Sequence, residues 1–406
     1  MAEWIDTNGL RALVKTGDTL YVGGTTNEPV SLLDQLGNIP GLHFIQQPIA
    51  AVNQRDLSAM DENCTQETYF MTPFLQSGLA ANRVKFIPMQ MRAIYDHIAS
   101  KKIDIALLKA AKDINGDLRF GLNIEYVNAA LNNSRITIVE VSDAFVAPIG
   151  SQLVGDDADY LYRSQTAATT FPIVEIDDTS RKIAAFVSDL IRDGDCIQTG
   201  IGAVPAAVLA GLDDRNDLGL HSGIIDDAAM DLIIRGNMNG SRKEIDQGKH
   251  IAGMVLGSHD LISWAEEAEE VQLRSANYTH DAGIIRQLNN FVSINSAVEI
   301  DLFGQINAEV VKGKQISGTG GSVDFMRAAK SCKGGRSIVA LSATAGKGTI
   351  SRIVERVEVV TALRTDVDIV VTEFGVAELK SLSLSQRADA LIEIAHPDFR
   401  HQLKRL

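Results

Sequence analysis

Short apolar runs alternate along this chain with stretches whose apolar positions recur at helical spacing. HFIQQPIAAV (43–52), VKFIPMQM (84–91), IDIALLKA (103–110) and RITIVEVSDA (135–144) read as strands. MRAIYDHIAS (91–100) and IEYVNAALNN (124–133) carry the helical pattern between them. The second half continues the alternation with 219–236, 250–258, FVSINSAVEI (291–300), SIVALSAT (337–344) and VDIVVTEFGVAELK (367–380). LSQRADALIEIAHPDFRHQL (384–403) reads as a helix, a turn at His396-Pro397 and a short helix. Strands that alternate with helices predict mostly parallel, doubly wound sheets, hence an α/β fold.

The pattern also repeats. Residues 12–36 and 189–212 both run from an amphipathic helix through a Gly-Asp turn into a short apolar strand, then a Gly-rich turn, a Pro and a helix. Gly17-Asp18 matches Gly194-Asp195, Leu20 matches Ile197, Gly23 matches Gly200 and, with one residue of slack, Pro29 matches Pro205. Spacing of about half the chain predicts two related domains in tandem, 1–175 and 176–406, with an active-site cleft between them. The Ser-, Thr- and Asp-rich stretch 163–183 marks the link.

Composition narrows the function. The 406 residues carry a net charge of −14, which argues against a general nucleic-acid or anionic-membrane partner. Cys64, Cys196 and Cys332 are far apart and form no CxxC, so neither a disulfide framework nor a zinc site is expected and a reducing cytoplasm is the default. The eight histidines show no metal-ligand spacing. The N-terminal stretch lacks the pattern of a signal peptide, and no run reaches the roughly 20 apolar residues of a membrane span.

Two glycine clusters are candidate binding turns. Ser317-Gly318-Thr319-Gly320-Gly321 lets backbone amides approach an anion or a developing oxyanion. TGIGAVPAAV (199–208) puts amides at a helix start, which suits a phosphate or a polarised carbonyl and equally suits helix–sheet packing. Pro205 stands where a dinucleotide fingerprint needs its third Gly, and the turn is not a Walker A loop, so ATP and NAD are discounted.

The stretch Phe291–Arg327, FVSINSAVEIDLFGQINAEVVKGKQISGTGGSVDFMR, closely resembles the acetyl-CoA hydrolase/transferase family, including its 4-hydroxybutyrate, butyrate and itaconate CoA-transferase-like members. The resemblance is strong over the second half and weaker over the first. It implies a second domain that binds coenzyme A as a substrate, with no tightly bound cofactor, and a homo-oligomer, and the residue spacing leads to no metal being expected. Gly200, Ile201, Gly202, Ala203 and Val204 match the family's first CoA turn. Asn295, Gly318, Gly320, Gly321 and a basic residue at Lys347 match further CoA contacts. Gly23, Gly24 and Gly223 fall where an oxyanion or acyl pocket is expected.

Such enzymes use a glutamate that attacks the thioester, passes through a mixed anhydride and becomes a glutamyl-CoA thioester. Here Leu220-His221-Ser222-Gly223 puts a glycine where that glutamate is expected. The nucleophile is therefore expected elsewhere, with Glu62 in SAMDENCTQETYFMTPF as the first candidate. Glu67 shares its loop, and Gln66 and Tyr69 stand beside it as pocket residues. Glu299 reads as structural, and Asp226 and Asp227 read as helix-start acids. The functions open at this point are a CoA-transferase acting on a short acyl-CoA and a carboxylate, an acyl-CoA hydrolase, and an acyl-CoA-binding protein without turnover.

Overall fold

The computed structural model describes residues 2–403. They fold into two compact units. The first holds the chain up to Pro172 together with 225–227 and 252–278, and the second holds 173–224, 228–251 and 279 onwards. The first change of unit falls at 172/173, inside the Ser/Thr/Asp-rich link, but 252–278 return to the first unit.

The first unit is built on nine strands: β1 (Glu3–Ile5), β2 (Thr19–Val22), β3 (His43–Gln46), β4 (Thr65–Thr68), β5 (Val84–Phe86), β6 (Ile103–Lys112), β7 (Leu118–Phe120), β8 (Ser134–Ser142) and β9 (Tyr160–Ser164). Their order is β1-β9-β8-β6-β2-β3-β4-β5. Every neighbouring pair in that order is parallel, and β7 adds an antiparallel edge to β6. The chain moves outward from β2 through β3, β4 and β5, then reverses to place β6 on the other side of β2. Strand order therefore switches at β2, and ligands in open α/β sheets bind beyond the strand carboxyl ends at such a point. The strands read as continuous apolar runs because both sheet faces are covered: all but two of the ten β6 residues are buried. Leu20, Val22, Phe44, Ile105 and Leu107 share one core with Leu10 of helix α1 (Thr7–Leu13) and Leu32 and Leu33 of α2 (Val30–Gln35).

The second unit repeats the plan. Its strands β10 (Cys196–Thr199), β11 (Gly219–Leu220), β12 (Phe291–Asn295), β13 (Arg336–Ala340), β14 (Ile369–Thr372) and β15 (Gly375–Glu378) lie in the order β11-β10-β12-β13-β14-β15. All pairs are parallel except β14–β15. The switch falls at β10, which has β11 on one side and β12 on the other.

The Gly-Asp turns that announced the repeat are alike in detail. Gly17 has φ +84° and Gly194 φ +83°, left-handed conformations that favour glycine. Asp18 accepts a bond from the Lys15 amide at 2.8 Å, and Asp195 accepts one from the Arg192 amide at 2.7 Å. Each turn delivers the chain into the switch-point strand of its sheet.

Three elements differ from the pattern's expectation. The 43–52 run ends as a strand at Gln46, shortly before Pro48, which has no amide to donate to a ladder. FVSINSAVEI is two strands, because Glu299–Asp301 leaves the main sheet to join Ile306–Asn307 and Ile353–Val354. Only Val127–Leu131 of 124–133 is helical, since the Glu125 amide is held by the Asn123 side chain at 2.8 Å in a preceding turn.

Candidate active site

In the first unit the switch point leads directly into Gly23-Gly24. A Cβ on Gly24 would lie 2.0 Å from the Gln47 carbonyl oxygen, so glycine is needed there for close approach of two backbones. The Gly23 amide donates to the Leu107 carbonyl at 2.9 Å and completes the β2–β6 ladder, so it is not aimed at a ligand. Thr25 follows at φ +55°, a strained state for a β-branched residue. Asn53 holds it there: its side chain accepts from the Thr25 amide at 3.0 Å and donates to the Thr25 carbonyl at 3.2 Å.

Gly23, Gly24, Thr25 and Gln47 help wall a small recess with room for about one water molecule, with Glu125 among its lining groups. Glu125 is fully buried, and its two carboxyl oxygens meet no hydrogen-bond partner in the protein. Burial pushes its pKa up to about 8, so the group is mostly neutral at pH 7. Of its polar neighbours, Asn27 donates its side-chain amide to the Lys109 carbonyl at 3.0 Å and the Asn123 carbonyl at 3.3 Å but keeps its Oδ1 unmet, while others pair among themselves. Tyr126 donates to Gln47 at 3.0 Å, and the Asn123 amide group donates to the Thr25 hydroxyl. The returning segment backs this wall: the Ala276 amide donates to the Glu125 carbonyl at 2.8 Å, and the Ile124 amide donates to Gly253 at 3.2 Å.

In the second unit the corresponding turn begins at Gly200. Its amide is engaged by Ile294 at 3.1 Å, the counterpart of the Gly23 bond. A Cβ here would lie 3.4 Å from Asn295 Oδ1, so Gly200 and Asn295 come together at the ends of β10 and β12. Asn295 is buried in a polar ladder, donating to Gln198 Oε1 at 3.0 Å and Ser293 Oγ at 2.8 Å and accepting from Gln198 at 3.2 Å. Ile201 is exposed, Gly202 has φ +126°, and Ala203 and Val204 open helix α3 (Ala203–Ala210), which has no side-chain cap. Its first amides are left for a ligand or solvent.

Gly223 lies at the same end of this sheet, because the neighbouring Ser222 hydroxyl donates to the carbonyl of Thr199, the last residue of β10, at 3.3 Å. The Ser317–Gly321 turn leads into helix α4 (Ser322–Ser331), again with a glycine, Gly321, at an uncapped start. Gly318 is buried, whereas Gly320 has φ +60° with open space where a side chain would be. Lys347 is exposed at the tip of a hairpin, at φ +58° between Gly346 and Gly348.

The first-unit carboxylates expected near the chemistry lie elsewhere. Glu62 is exposed in the turn that precedes β4, at the amino ends of the parallel strands, whereas Gly23-Gly24 lie at their carboxyl ends. A four-residue strand, about 13 Å long, separates the two edges. Glu67 is not in that turn but buried in β4, where it accepts from Tyr69 at 2.7 Å, His97 at 2.9 Å and Lys101 at 2.9 Å. Gln66 is buried with its Oε1 on the Leu57 amide at 3.0 Å. Asp227 caps a backbone turn by accepting from the Ser258 amide at 3.0 Å. Asp226, beside it, is half-buried, and Glu299 accepts from Asn307 at 3.0 Å.

Glu125, Asn123 and Gln47 were not singled out in the sequence. The available signal was Asn123-Ile124-Glu125, two polar residues spaced by one inside an apolar run, which a helical reading of 124–133 concealed. Among the described residues no His, Cys, Asp and Glu cluster could hold a metal, and no helix is long and apolar enough to cross a membrane.

Comparison with known proteins identifies the family. Residues 257–406 match the acetyl-CoA hydrolase/transferase C-terminal domain. A 4-hydroxybutyrate coenzyme A transferase of Clostridium kluyveri is 33% identical over 387 residues, 93% of this chain and 90% of that one. This chain belongs to the acetyl-CoA hydrolase/transferase family. A second acetyl-CoA hydrolase/transferase relative, the butyryl-CoA:acetate CoA-transferase of Anaerostipes caccae, is 35% identical over 96% of this chain and 92% of its own. The crystal structure of RipA from Yersinia pestis superposes with a TM-score of 0.92 at 30% identity, covering 99% of this chain and 96% of RipA. These relatives support a role in coenzyme A transfer, with CoA as a substrate.

Proposed function

We propose that this protein moves coenzyme A between a short-chain acyl-CoA and a carboxylate acceptor. The observation that carries the reading is the matched pair of glycine turns at two strand-order switch points, one beside a polar recess and one beside a helix start. The first suits the acyl or carboxylate end. The second, with Gly200 to Val204, Asn295, Gly318, Gly320, Gly321 and Lys347, suits CoA.

The chemistry would begin with a protein carboxylate attacking the thioester carbonyl, breaking the C–S bond and releasing CoA thiolate. The thiolate then attacks the enzyme's carbonyl in the mixed anhydride and expels the acyl group as its carboxylate. An acceptor carboxylate attacks the resulting enzyme–CoA thioester, and the steps reverse. Amides and side-chain donors at the turns would stabilise each tetrahedral oxyanion. Glycine at 223 cannot serve as nucleophile. Glu62 remains the candidate from sequence, and its place at the amino edge of the sheet weighs against it. Gly223 also favours a second reading, an acyl-CoA-binding protein without turnover.

The test is incubation with butyryl-CoA or succinyl-CoA without acceptor, then borohydride reduction and peptide mapping, with CoA-ester turnover followed at increasing acetate. Reduction of one glutamate together with acceptor-dependent turnover is the expected result. Release of free CoA independent of acceptor would make the protein a hydrolase. Bound CoA ester with neither turnover nor a modified peptide would make it a binder.

A further inference from the structure

The recess beyond β2 differs in one respect from an ordinary buried polar cluster. In such a cluster the members satisfy one another, because an unmet polar group in a low-dielectric interior is expensive. Here Tyr126 is met by Gln47, Asn123 by Thr25, and the Thr25 backbone by Asn53. Asn27 leaves its Oδ1 unmet but has its amide paired with the Lys109 carbonyl, whereas the wholly buried Glu125 has neither side-chain oxygen met by the protein. A fully buried carboxyl that lines a recess and is left out of its neighbours' pairing has its hydrogen-bonding capacity directed at whatever enters. The recess as a whole has room for a group about the size of a water molecule, so it takes a terminal hydroxyl or carboxyl oxygen and not a bulky ring.

We infer that Glu125 pairs with a polar terminus on the acyl group, so that the site selects donors whose chain ends in a hydroxyl or a carboxyl over donors that end in a methyl. The inference rests on the proposed transferase reading and names the substrate class of that site. As a neutral acid, Glu125 can donate its O–H and accept through its carbonyl oxygen. A terminal hydroxyl satisfies both, and a terminal carboxylate accepts the O–H. A terminal methyl leaves the buried acid unmet, which disfavours that donor by roughly 10- to 100-fold, about 1.4–2.7 kcal/mol. Tyr21 on β2 and Tyr126 beside Glu125 are the other titratable groups of the lining. Ser275 and Ala276, which pack behind it, bring no charge. Glu125 therefore controls the ionisation of the recess, and burial keeps it neutral up to about pH 8.

The experiment compares kcat/KM for 4-hydroxybutyryl-CoA, succinyl-CoA and butyryl-CoA in the wild-type protein, Glu125→Gln and Glu125→Leu, each checked for folding by circular dichroism. The expected wild-type order favours the hydroxyl- and carboxyl-ended donors. Glu125→Leu lowers the 4-hydroxybutyryl to butyryl ratio by about tenfold or more, and Glu125→Gln keeps most of it. The preference for succinyl-CoA declines above about pH 8, where Glu125 ionises and repels a second carboxylate, while the preference for the hydroxyl persists. An unchanged ratio in Glu125→Leu overturns the inference. So does loss of turnover with all three donors in Glu125→Gln, which would make the carboxyl a reacting group. Calorimetric titration of free 4-hydroxybutyrate against butyrate reads the recess without turnover. A preference for 4-hydroxybutyrate that Glu125→Leu abolishes supports the inference even if the transferase reading fails, and equal binding of the two acids overturns it even if transfer is observed.

Discussion

Gly24 and Glu67 show how single residues in the first unit are fixed by what surrounds them. Gly24 has an extended backbone at φ −109°, which any residue can adopt, and its requirement is the Gln47 carbonyl against its missing side chain. Gly24→Ala is expected to cost about 3 kcal/mol, read as a lower urea midpoint, because backbone must move to admit one methyl. Glu67 is a stabilising carboxylate. Burial alone would raise its pKa, but hydrogen bonds from Lys101, Tyr69 and His97 outweigh that and pull it below the usual carboxylate range. A carboxyl with a depressed folded pKa adds stability that is present above its unfolded pKa and lost as pH falls through the folded one. Glu67→Gln is therefore expected to cost about 1–2 kcal/mol at pH 7, discounted because Lys101 and His97 are partly exposed, and to cost less as pH is lowered below 4. The same pair shows what was legible at this scale. Glycines at positions of close approach stand out in a sequence. A glutamate gives no sign of whether it will be exposed like Glu62, ion-paired like Glu67 or buried without a partner like Glu125, since its partners come from distant segments.

Among the elements, the helix–Gly-Asp–strand unit was the most legible, because its glycine conformation, its aspartate cap and its apolar strand are all local. The two copies differ in their distant contacts. Asp195 is almost fully buried and also binds the Arg336 guanidinium, whereas Asp18 faces a half-exposed Arg135 at 3.9 Å. Asp195→Ala is expected to destabilise by about 3–5 kcal/mol, since it leaves a largely buried guanidinium without its anion, and Asp18→Ala by only about 1–2 kcal/mol. Urea titrations of the two variants test the difference, and equal losses would mean that the cap alone matters. What the pattern missed were elements shaped by partners beyond the run. FVSINSAVEI reads as one mostly apolar strand but serves two sheets, and 124–133 is helical only where Asn123 does not hold the turn.

For the molecule as a whole, buried titratable groups set the response to pH. Burial first, and nearby positive charge second, hold His250 and His280 near pKa 3, so both stay neutral in the fold. Unfolding lets them take protons near pH 6.5, so their contribution is present above that value and is lost as pH falls from about 6.5 towards 3. Glu125 acts in the opposite sense. Its folded pKa is raised to about 8, so its contribution is greatest in acid and is lost as pH rises towards 8. The melting temperature is expected to fall on both sides of a maximum near pH 6–7. Glu125→Gln is expected to remove the loss between about pH 4.5 and 8, which flattens the alkaline side and steepens the acid side above pH 4.5, and a variant profile parallel to wild type up to pH 9 would show that Glu125 does not titrate there. Two related sheets could be read from the 12–36 and 189–212 repeat. The return of 252–278 to the first unit could not, because no change in composition marks a chain that leaves one unit and comes back.

That return bears on how the protein is made. A ribosome extends a chain at about 5–20 residues per second. Every strand of the first sheet has been synthesised by Ser164, yet the wall behind Glu125 waits for Gly253 and Ala276. For roughly 5–20 s the wall behind Glu125 stays unfinished while much of the second unit emerges ahead of the first unit's missing piece. The recess lined by Glu125 is then among the last parts of the first unit to form during biosynthesis, and a chain interrupted before residue 278 would carry the sheet without a finished recess.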